Sequence, residues 1–526
     1  MEDNKNLKNI PAEKFQFADK RDFNFDTKFD TKPESYFQGA FRRFCKNKGA
    51  VAGGIVIFAL ILFAIIGPFC TSYSVSYYDS IYTTIKPKNK LFENAGFWDG
   101  CKTKETGYVG FLEDYALGQE TGREVIKNGE YTVSDDGSIY KYRYDTYYGV
   151  GFGRYRVISF EEYQDIQRYQ DETGRQVLYP TVSLSSRPQT VQDKDRADIY
   201  YKTKNVGGRI QPEIDADGNV ITNYWKYSAA DGEPSTAAPY TSKMRIEGDD
   251  GVMIDGEKCY YVYGRIVSGG VEVRAEYYEY YTYYHTQVAK DGISEPLFFF
   301  GTTSFGKDIF TCLSSGARFS FLFALVVAAV NLVVGAIWGS IAGYFGGRID
   351  LAMERFTDIL GAVPTMIVIT LLKLHMGTSS QALVLFIAFF MTGWIGMAGT
   401  TRMQFYRYKN QEYVLVARTL GAKDWRIMFK HIFPNAIGTI VTSCALVIPS
   451  MIYSETNLSY LGIINLESGR LTSVGTMIAA GQRDMMVAPF VAVFPSLFLA
   501  LMMLSFNLFG NGLRDAFNPS LRGSED

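Results

Sequence analysis

The sequence is poor in the residues on which most catalytic and metal sites depend. It contains only 3 histidines and 6 cysteines among 526 residues, and no two histidines have the spacing of paired zinc ligands. We recognise neither a Ser/His/Asp set nor a pair of catalytic carboxylates. These absences argue against a metal site and give no support to an enzyme.

An excess of basic charge is also missing. The chain carries 53 Lys and Arg against 55 Asp and Glu, for a net charge of −2. Tyrosine is abundant, but aromatic residues bind nucleic acid by stacking alongside a basic groove. The charge balance therefore argues against nucleic-acid binding, and packing on strand faces explains most of the tyrosines better.

Apolar and polar residues are segregated along the chain, although the mean hydropathy is near zero. Residues 51–69 and 319–347 carry no charge, and each run exceeds the roughly 18 apolar residues that mark a transmembrane helix. Further spans are expected at 359–372, 381–401, 436–453 and 488–509, which makes six. The third is short and contains Pro364, so it must tilt or include flanking residues.

The distribution of Lys and Arg predicts the orientation of these spans. Basic residues precede the first span and follow the last one: Arg42, Arg43, Lys46, Lys48, Arg514 and Arg522. Because positively charged flanks stay on the cytoplasmic side, we expect cytoplasmic tails at 1-38 and 517-526. The first transmembrane helix is assigned to 39-70, and the long polar stretch before it favours an anchor over a cleaved signal peptide.

Residues 71-296 differ from the rest of the chain and hold 30 of the 37 tyrosines. Runs such as VEVRAEY at 271–277 alternate with a period of two, which is typical of strands. Asn-Gly and Asp-Gly dipeptides separate these runs, and such pairs mark turns. We predict a β-rich extracellular domain inserted between transmembrane helices 1 and 2, with one short helix near 161–170.

Two cysteines lie in this inserted region, where an extracellular location would permit oxidation. A disulfide between Cys101 and Cys259 is a hypothesis, and two free thiols are the alternative. The other cysteines lie at or in the predicted spans, where small apolar packing is the simpler interpretation.

A glycine-rich motif at 301–308, GTTSFGKD, resembles a phosphate-binding loop. Such loops need Ser or Thr after the lysine to hold Mg²⁺, but Asp308 occupies that position and would repel phosphate. The motif also falls on the predicted extracellular side. We therefore interpret Gly301, Thr302, Gly306, Lys307 and Asp308 as a polar collar where the chain re-enters the membrane.

Residues 412–435, EYVLVARTLGAKDWRIMFKHIFPN, form a charged insert between two predicted spans. Gly421 is expected to end one helix, and Pro434 to stop a second helix before the next span. A helix–glycine–helix segment held at both ends by spans suits coupling to a soluble partner, although an amphipathic helix lying on lipid has the same pattern. The residues of interest are Glu412, Ala417, Arg418, Gly421, Ala422, Asp424, Arg426, His431, Pro434 and Asn435.

Three polar residues fall within or at the ends of the predicted spans. Asn331 and Asn507 could line an aqueous pathway, but hydrogen bonds between helices are the simpler interpretation. Glu455 is expected to anchor a loop or a helix interface rather than to contact substrate.

The membrane half resembles a permease subunit of an ATP-binding-cassette (ABC) importer of the oligopeptide and dipeptide type, OppC or DppC. The resemblance covers about 35–75 and 296–521 and rests on motifs in the family's order: SYFQGAFRRFCKNKGAVAGG, FGTTSFGKDIF, AGYFGGRID, SETNLSYLGI and FPSLFLALMMLSFNLFGNGLRDAFNP. The segment 402-435 is similar to the family's EAA coupling loop. The first two positions of that motif, Leu415 and Val416, are not kept, whereas Ala417, Gly421 and Pro434 match.

The resemblance implies an all-α polytopic membrane domain like that of type I ABC importers, with transmembrane helices 2-6 in a core at 297-516. It also implies an OppB-like second permease, two cytoplasmic ATP-binding subunits of the OppD/OppF type, an extracellular substrate-binding lipoprotein and a peptide substrate in a bacterial cell membrane. ATP and Mg²⁺ would be bound by the partner subunits, and no cofactor is expected in this chain. An importer of nickel or another small solute and a membrane-anchored extracellular receptor or assembly protein remain alternatives.

Overall fold

The computed structural model describes residues 36–92, 96–149, 155–186, 197–207, 209–245, 252–254, 257–376, 381–466 and 471–517. Nearly all of the predicted tail at 1-38 and most of the tail at 517-526 lie outside the described residues. The described chain forms a helical bundle and one inserted domain, which lies between the first and second long apolar helices.

The first predicted span is two helices rather than one. Helix α1 spans Tyr36–Lys46, and helix α2 spans Lys48–Ile66 and continues into a 3₁₀ turn at Gly67–Phe69. Asn47 separates them because its backbone is extended and its side chain accepts a hydrogen bond from the amide of Ala50 at 3.2 Å. This N-cap begins a new helix, so the predicted segment 39-70 contains part of a short basic helix as well as the span.

The inserted domain combines short antiparallel strands with helices. In chain order its elements are β1 (Cys101–Thr106), α3 (Tyr108–Thr121), β2 (Ile126–Val133), β3 (Tyr140–Asp145), β4 (Tyr155–Ile158), α4 (Phe160–Thr173), β5 (Leu178–Tyr179), α5 (Ala197–Tyr200), β6 (Thr203–Val206), β7 (Arg209–Pro212), β8 (Lys226–Ser228), β9 (Val252–Ile254), β10 (Glu257–Tyr261), β11 (Gly264–Val267), β12 (Gly270–Ala275) and α6 (Tyr277–Tyr283). The sheets have the orders β1-β3-β2, β8-β10-β9 and β11-β12-β4, β5 also pairs with β12, and β6 pairs with β7.

Two aromatic cores hold this domain together. One packs α3 on the β1-β3-β2 sheet around Phe111 and Tyr142, and the other packs α4 and α6 on β12 around Tyr163 and Val273. A buried bidentate ion pair joins α3 to β12, with Glu120 accepting from Arg274 at 2.7 and 2.8 Å. The packing interpretation of the tyrosines is therefore confirmed for those in the cores.

Local predictions for this domain have mixed outcomes. The short helix predicted near 161–170 is confirmed as the middle of α4, whose N-cap is Ser159. Asp136-Gly137 turns the hairpin between β2 and β3, whereas Asn128-Gly129 forms an irregularity within β2 rather than a turn between strands. Cys101 and Cys259 are free thiols on separate sheets, so the hypothesised disulfide is not formed in this structure. Burial raises the pKa of Cys101 to about 12.

The remaining helices build the membrane bundle. They are α7 (Ile309–Phe345), α8 (Gly347–Gly361), α9 (Thr365–Met376), α10 (Gln381–Tyr408), α11 (Glu412–Thr419), α12 (Asp424–Arg426), α13 (Phe433–Tyr460), α14 (Val474–Arg483) and α15 (Phe490–Phe517). Within the described residues, 5 helices are long and apolar enough to cross a membrane, or 6 if the bent pair α8–α9 counts as one span.

The predicted third span, 359–372, does not match a single helix. It begins inside α8 and ends inside α9, and these two helices meet at a bend of 65°. Pro364 lies at the break, where proline supplies no backbone N–H and disfavours a helical conformation in the preceding residue. The proline that made this span short in the sequence therefore bends it in the structure.

The inserted domain is anchored on the N-terminal end of α15 through the chain that precedes β1. The indole of Trp98 donates a hydrogen bond to the carbonyl of Phe299 at 2.5 Å, and its ring stacks on Phe494 of α15 with centroids 5.8 Å apart. Nearby, Lys88 pairs with Asp145 at the end of β3 at 2.8 Å. One short segment thus contacts both the sheet and the bundle.

The glycine-rich motif at 301–308 joins the start of the inserted domain to the start of α7. Thr302 accepts a hydrogen bond from the amide of Ile85 and donates one to the carbonyl of Tyr82, both at 2.8 Å. Asp308 is the N-cap of α7, accepting from the amide of Thr311 at 2.8 Å. Gly306 has φ +69° and lies directly against the backbone of Asp79. These contacts are those of a structural collar and support that interpretation.

We expect Gly306→Ala to destabilise the protein more than Gly218→Ala. Both glycines have positive φ, so each alanine costs about 1–2 kcal/mol of backbone strain, but only at Gly306 would the new Cβ overlap another atom, the carbonyl oxygen of Asp79. Nothing lies within 4 Å of the corresponding position at Gly218. Thermal denaturation of the detergent-purified variants measures the difference, and equal melting temperatures would contradict the collar.

Candidate coupling segment

The segment 402-435 leaves the bundle at the end of α10 and returns to it at α13. Helix α11 ends at Thr419, and Gly421 follows with φ +78°, a conformation that glycine adopts without a Cβ penalty. Its amide donates to the carbonyl of Arg418 at 3.0 Å. The predicted break at Gly421 is therefore confirmed.

The prediction that Pro434 stops the second helix is wrong. Helix α12 continues through a π-helical turn at Ile427–Ile432 directly into α13. Pro434 directly follows this π-helical turn, in which the amide of Phe433 donates to the carbonyl of Met428 five residues before it. Proline has no N–H to donate and its ring crowds the carbonyl four residues before it, and the helix passes Pro434 through this wider turn instead of ending. The second half of the coupling segment is thus a rigid extension of a membrane-spanning helix.

One face of the segment is buried against the ends of two long helices. Val414, Ile427 and Met428 pack with Tyr344 at the end of α7 and with Phe405 near the end of α10. A displacement of the segment must therefore move α7, α10 and α13 together or break this cluster.

Polar contacts strengthen the same attachment. The hydroxyl of Tyr344 donates to Asp424 at 2.5 Å and accepts from Arg418 at 3.5 Å. Lys409 donates to the carbonyl of Gly343 at 3.0 Å, and partial burial lowers the pKa of Lys409. These bonds join both halves of the segment to the C-terminal end of α7.

Other predicted residues have separate positions on the segment. The side-chain amide of Asn435 donates to the carbonyl of His431 at 2.9 Å and to the hydroxyl of Tyr413 at 3.4 Å. Glu412 and Arg426 are exposed, whereas Ala417 and Ala422 are half-buried. The structure therefore divides the predicted set between the attached face and the surface.

The opposite face of the segment is exposed and apolar. Leu420 is 82% exposed and Trp425 is 65% exposed, and Leu415 and Val416 are exposed beside them. This patch was not predicted from the sequence. The sequence pattern that could have predicted it is a second apolar stripe on α11, on the side opposite Val414.

An ionic cluster holds α8 against α10 close to the segment. Arg402 donates to both oxygens of Asp350 at 2.6 and 2.8 Å and to both oxygens of Glu354 at 2.9 and 2.8 Å. Tyr406 also donates to Asp350. Asp350 and Glu354 were missed because they lie about 50 residues before Arg402, and only the folded chain brings them together.

Comparison with known proteins gives the segment its context. A family described as "Binding-protein-dependent transport system inner membrane component" matches residues 335–523, and "N-terminal TM domain of oligopeptide transport permease C" matches 35–89. The oligopeptide transport permease OppC of Bacillus subtilis is 44% identical over 223 residues, covering 42% of this chain and 72% of that protein. The dipeptide permease DppC of the same organism is 38% identical over 224 residues, covering 42% and 69%.

The chain belongs to this family of inner membrane permeases. The resemblance inferred from the motifs is therefore confirmed, and the protein is a multi-pass permease subunit rather than an enzyme. Among solved structures, the methionine ABC transporter MetNI in an inward-facing form matches 39% of this chain and 96% of that chain, with 15% identity and a TM-score of 0.31.

The polar residues of the permease's spans have different environments. Glu455 is fully buried and accepts hydrogen bonds from Ser473 at 2.7 Å and Ser459 at 2.9 Å, which ties α13 to the start of α14. Its predicted anchoring role is confirmed. Asn331 is buried against Gly393 of α10, and its side chain has no hydrogen-bond partner among the described residues. Asn507 is exposed.

Proposed function

We propose that this permease imports peptides, chiefly oligopeptides, by alternating access across the cell membrane. The names of its relatives, oligopeptide and dipeptide transport permeases, support this substrate class. The energy comes from ATP and Mg²⁺ bound to separate cytoplasmic subunits of the OppD/OppF type. An OppB-like permease supplies the other half of the pathway, and an extracellular binding lipoprotein delivers the substrate.

The observation that carries this proposal is the two-faced coupling segment. Its buried face is attached to α7, α10 and α13, and its exposed face presents Leu420 and Trp425. Exposed apolar clusters on a soluble surface mark sites of protein association. We assign this face to a groove on the ATP-binding subunits, so that their closure moves the attached helices as one unit.

The direction of transport follows from differential binding. A ligand shifts a conformational equilibrium only if it binds one state more tightly than the other. ATP favours the closed pair of ATP-binding subunits and, through the segment, an outward-facing permease. The loaded binding protein must favour the same state to release peptide into the cavity between the permeases.

We further propose that both termini and the coupling segment are cytoplasmic and that the β-rich domain at 71-296 is extracellular. Arg43 in α1 donates to the carbonyl of Ala516 at 3.0 and 2.9 Å, which supports a common side for the flanks of the first and last spans. The basic residues around α1 favour the cytoplasm for that side.

We expect Leu420→Ala to weaken binding of the ATP-binding subunits at least tenfold without changing the melting temperature of the isolated permease. Leu420 is 82% exposed, so its truncation removes few contacts within this chain. Leu91→Ala is the matched control, because Leu91 is 85% exposed but lies before the inserted sheet. Affinity is measured with the permease in nanodiscs, and equal affinities for the two variants would contradict docking on this face.

We expect Gly421→Val to abolish stimulation of ATP hydrolysis by the peptide-loaded binding protein while leaving membrane insertion intact. A branched side chain at φ +78° strains the turn between α11 and α12 and adds bulk to the exposed face. No atom of the described structure lies within 4 Å of the new Cβ, so the effect does not come from a clash inside the permease.

The control for this change is Gly462→Val. Gly462 follows α13 at its other end, has φ +70° and is equally open. It carries similar backbone strain but lies away from the coupling segment, so stimulated hydrolysis is expected to persist. Full stimulation in Gly421→Val, or equal losses in both variants, would count against the assigned role.

The proposed orientation predicts opposite labelling of two introduced cysteines. In a chain whose native cysteines are replaced by alanine, Ser138→Cys in the inserted domain should react with a membrane-impermeant maleimide on intact cells. Lys423→Cys should react only after the membrane is permeabilised. Both positions are exposed, so accessibility within the protein does not limit the reaction. Labelling of Lys423→Cys on intact cells would overturn the orientation.

A further inference from the structure

A cleft of about 440 Å³ opens in the inserted domain, far along the chain from the coupling segment. Tyrosines line both of its sides, with Tyr77 and Tyr78 from the chain after the first span and Tyr277, Tyr280 and Tyr284 from α6 and the turn that follows it. This volume is in the range of small-ligand sites, which combine apolar walls with a few polar groups.

Arg156 on β4 is the cationic side chain of this cleft that lacks an anionic partner. Its guanidinium lies over the Tyr280 ring, 3.9 Å from the ring centroid. Among the described residues, Nη1 of Arg156 is buried without a hydrogen-bond partner, and no carboxylate pairs with the group. Because Nη1 is closed to solvent, the other nitrogens of the guanidinium are the donors within reach of a ligand in the cleft.

Two other arginines on the strands of this domain bond carboxylates. Arg274 forms its bidentate bond with Glu120, and Arg265 bonds Glu272 through two nitrogens at 3.1 and 2.8 Å. Arg245 instead donates to the carbonyls of Ser242 and Tyr240. Among the described residues, Arg156 has neither kind of partner.

The other charged groups of the cleft are already engaged. Asp79 accepts from the amides of Ile81 and Tyr82 at 2.7 and 2.9 Å, and its second oxygen accepts from the hydroxyl of Tyr277 at 2.8 Å. His285 is bonded through Nδ1 to Asp291 at 2.6 Å. Asp79 keeps its negative charge, but these donors occupy its oxygens, so the guanidinium of Arg156 is the charged group of the cleft that is left to bind a ligand.

We propose that this cleft binds a carboxylate joined to an aromatic or aliphatic group, as at the C-terminus of a short peptide with an apolar last residue. A guanidinium matches a carboxylate with two parallel hydrogen bonds, and tyrosine rings offer a flat apolar surface with polar edges. A neutral sugar would stack on the rings but would leave the charge of Arg156 uncompensated. Arg156 and the α6 tyrosines lie between the two family matches, while Tyr77, Tyr78 and Asp79 fall within the first match. The proposed site goes beyond the proposed transport function.

The test is a calorimetric titration of the full-length permease in nanodiscs with N-acetyl-L-phenylalanine. We expect saturable binding, and at least tenfold weaker binding of the neutral N-acetyl-L-phenylalaninamide. Arg156→Gln should lose the preference for the carboxylate. Arg168→Gln is the matched control, because Arg168 is exposed on α4 outside the cleft, and it should bind as the unaltered protein does.

A second variant tests the site even if Arg156→Gln fails to fold. Tyr284 is 42% exposed at the rim of the cleft, so Tyr284→Ala should keep the melting temperature and weaken binding several-fold. Equal affinity for the acid and the amide, no saturable binding, unchanged binding in both variants, or binding of chitobiose but not of the acid would each overturn the proposal.

The titration tests ligand binding at this site independently of transport. It uses the permease without ATP-binding subunits, so failure of the coupling experiments would leave its outcome unaffected. Binding of the acid with unchanged affinity in Arg156→Gln would point to the transport pathway instead and would also refute the site.

A free peptide and the C-terminus of a protein both carry a carboxylate next to an apolar residue, and a competition experiment distinguishes them. If the acid competes with a soluble tetrapeptide ending in phenylalanine, with similar affinities for both, a small peptide is sufficient as the ligand. Failure of the tetrapeptide to bind would overturn the assignment to short peptides.

Discussion

The mechanical behaviour of this permease depends on the burial of one face of its coupling segment. Ile427, Met428 and Val414 are enclosed by Tyr344 and Phe405, and removing such side chains from water is the main source of cohesion between helices here. Because the π-helical turn runs into α13 without a break, force on the segment reaches the bundle through a continuous helix and through this cluster. The exposed apolar face makes no contribution to this attachment, so it can contact another protein without loosening the segment.

The inserted domain is held to the same bundle by a different set of contacts. The collar at 301–308 uses backbone hydrogen bonds and a glycine that fits closely against Asp79, while Trp98 stacks on α15. Both contacts lie where the chain passes between the bundle and the domain. These contacts hold the segments by which the chain enters and leaves the inserted domain, and the aromatic cores of the domain stabilise the rest. A large insertion is therefore compatible with the family's membrane core.

Prediction from sequence was most successful where one residue controls the backbone. Gly421 and Asp136-Gly137 form the turns expected of them because their conformations depend on local sterics. Pro434 was misjudged, because the helix passes the proline through the π-helical turn that precedes it, and that turn became evident only from the fold. Pro364 was recognised as disruptive, but the size of the bend depends on how α8 and α9 pack against the neighbouring helices.

The sequence by itself determined the membrane spans, the family and the position of the coupling segment, because hydrophobic runs of sufficient length and ordered motifs are properties of the linear chain. The tertiary structure decided which residues meet across long separations: Arg402 with Asp350 and Glu354, Tyr344 with Asp424, and Arg156 with the tyrosines of α6. No local pattern encodes these contacts, since each depends on the relative placement of helices and strands that are distant in the chain.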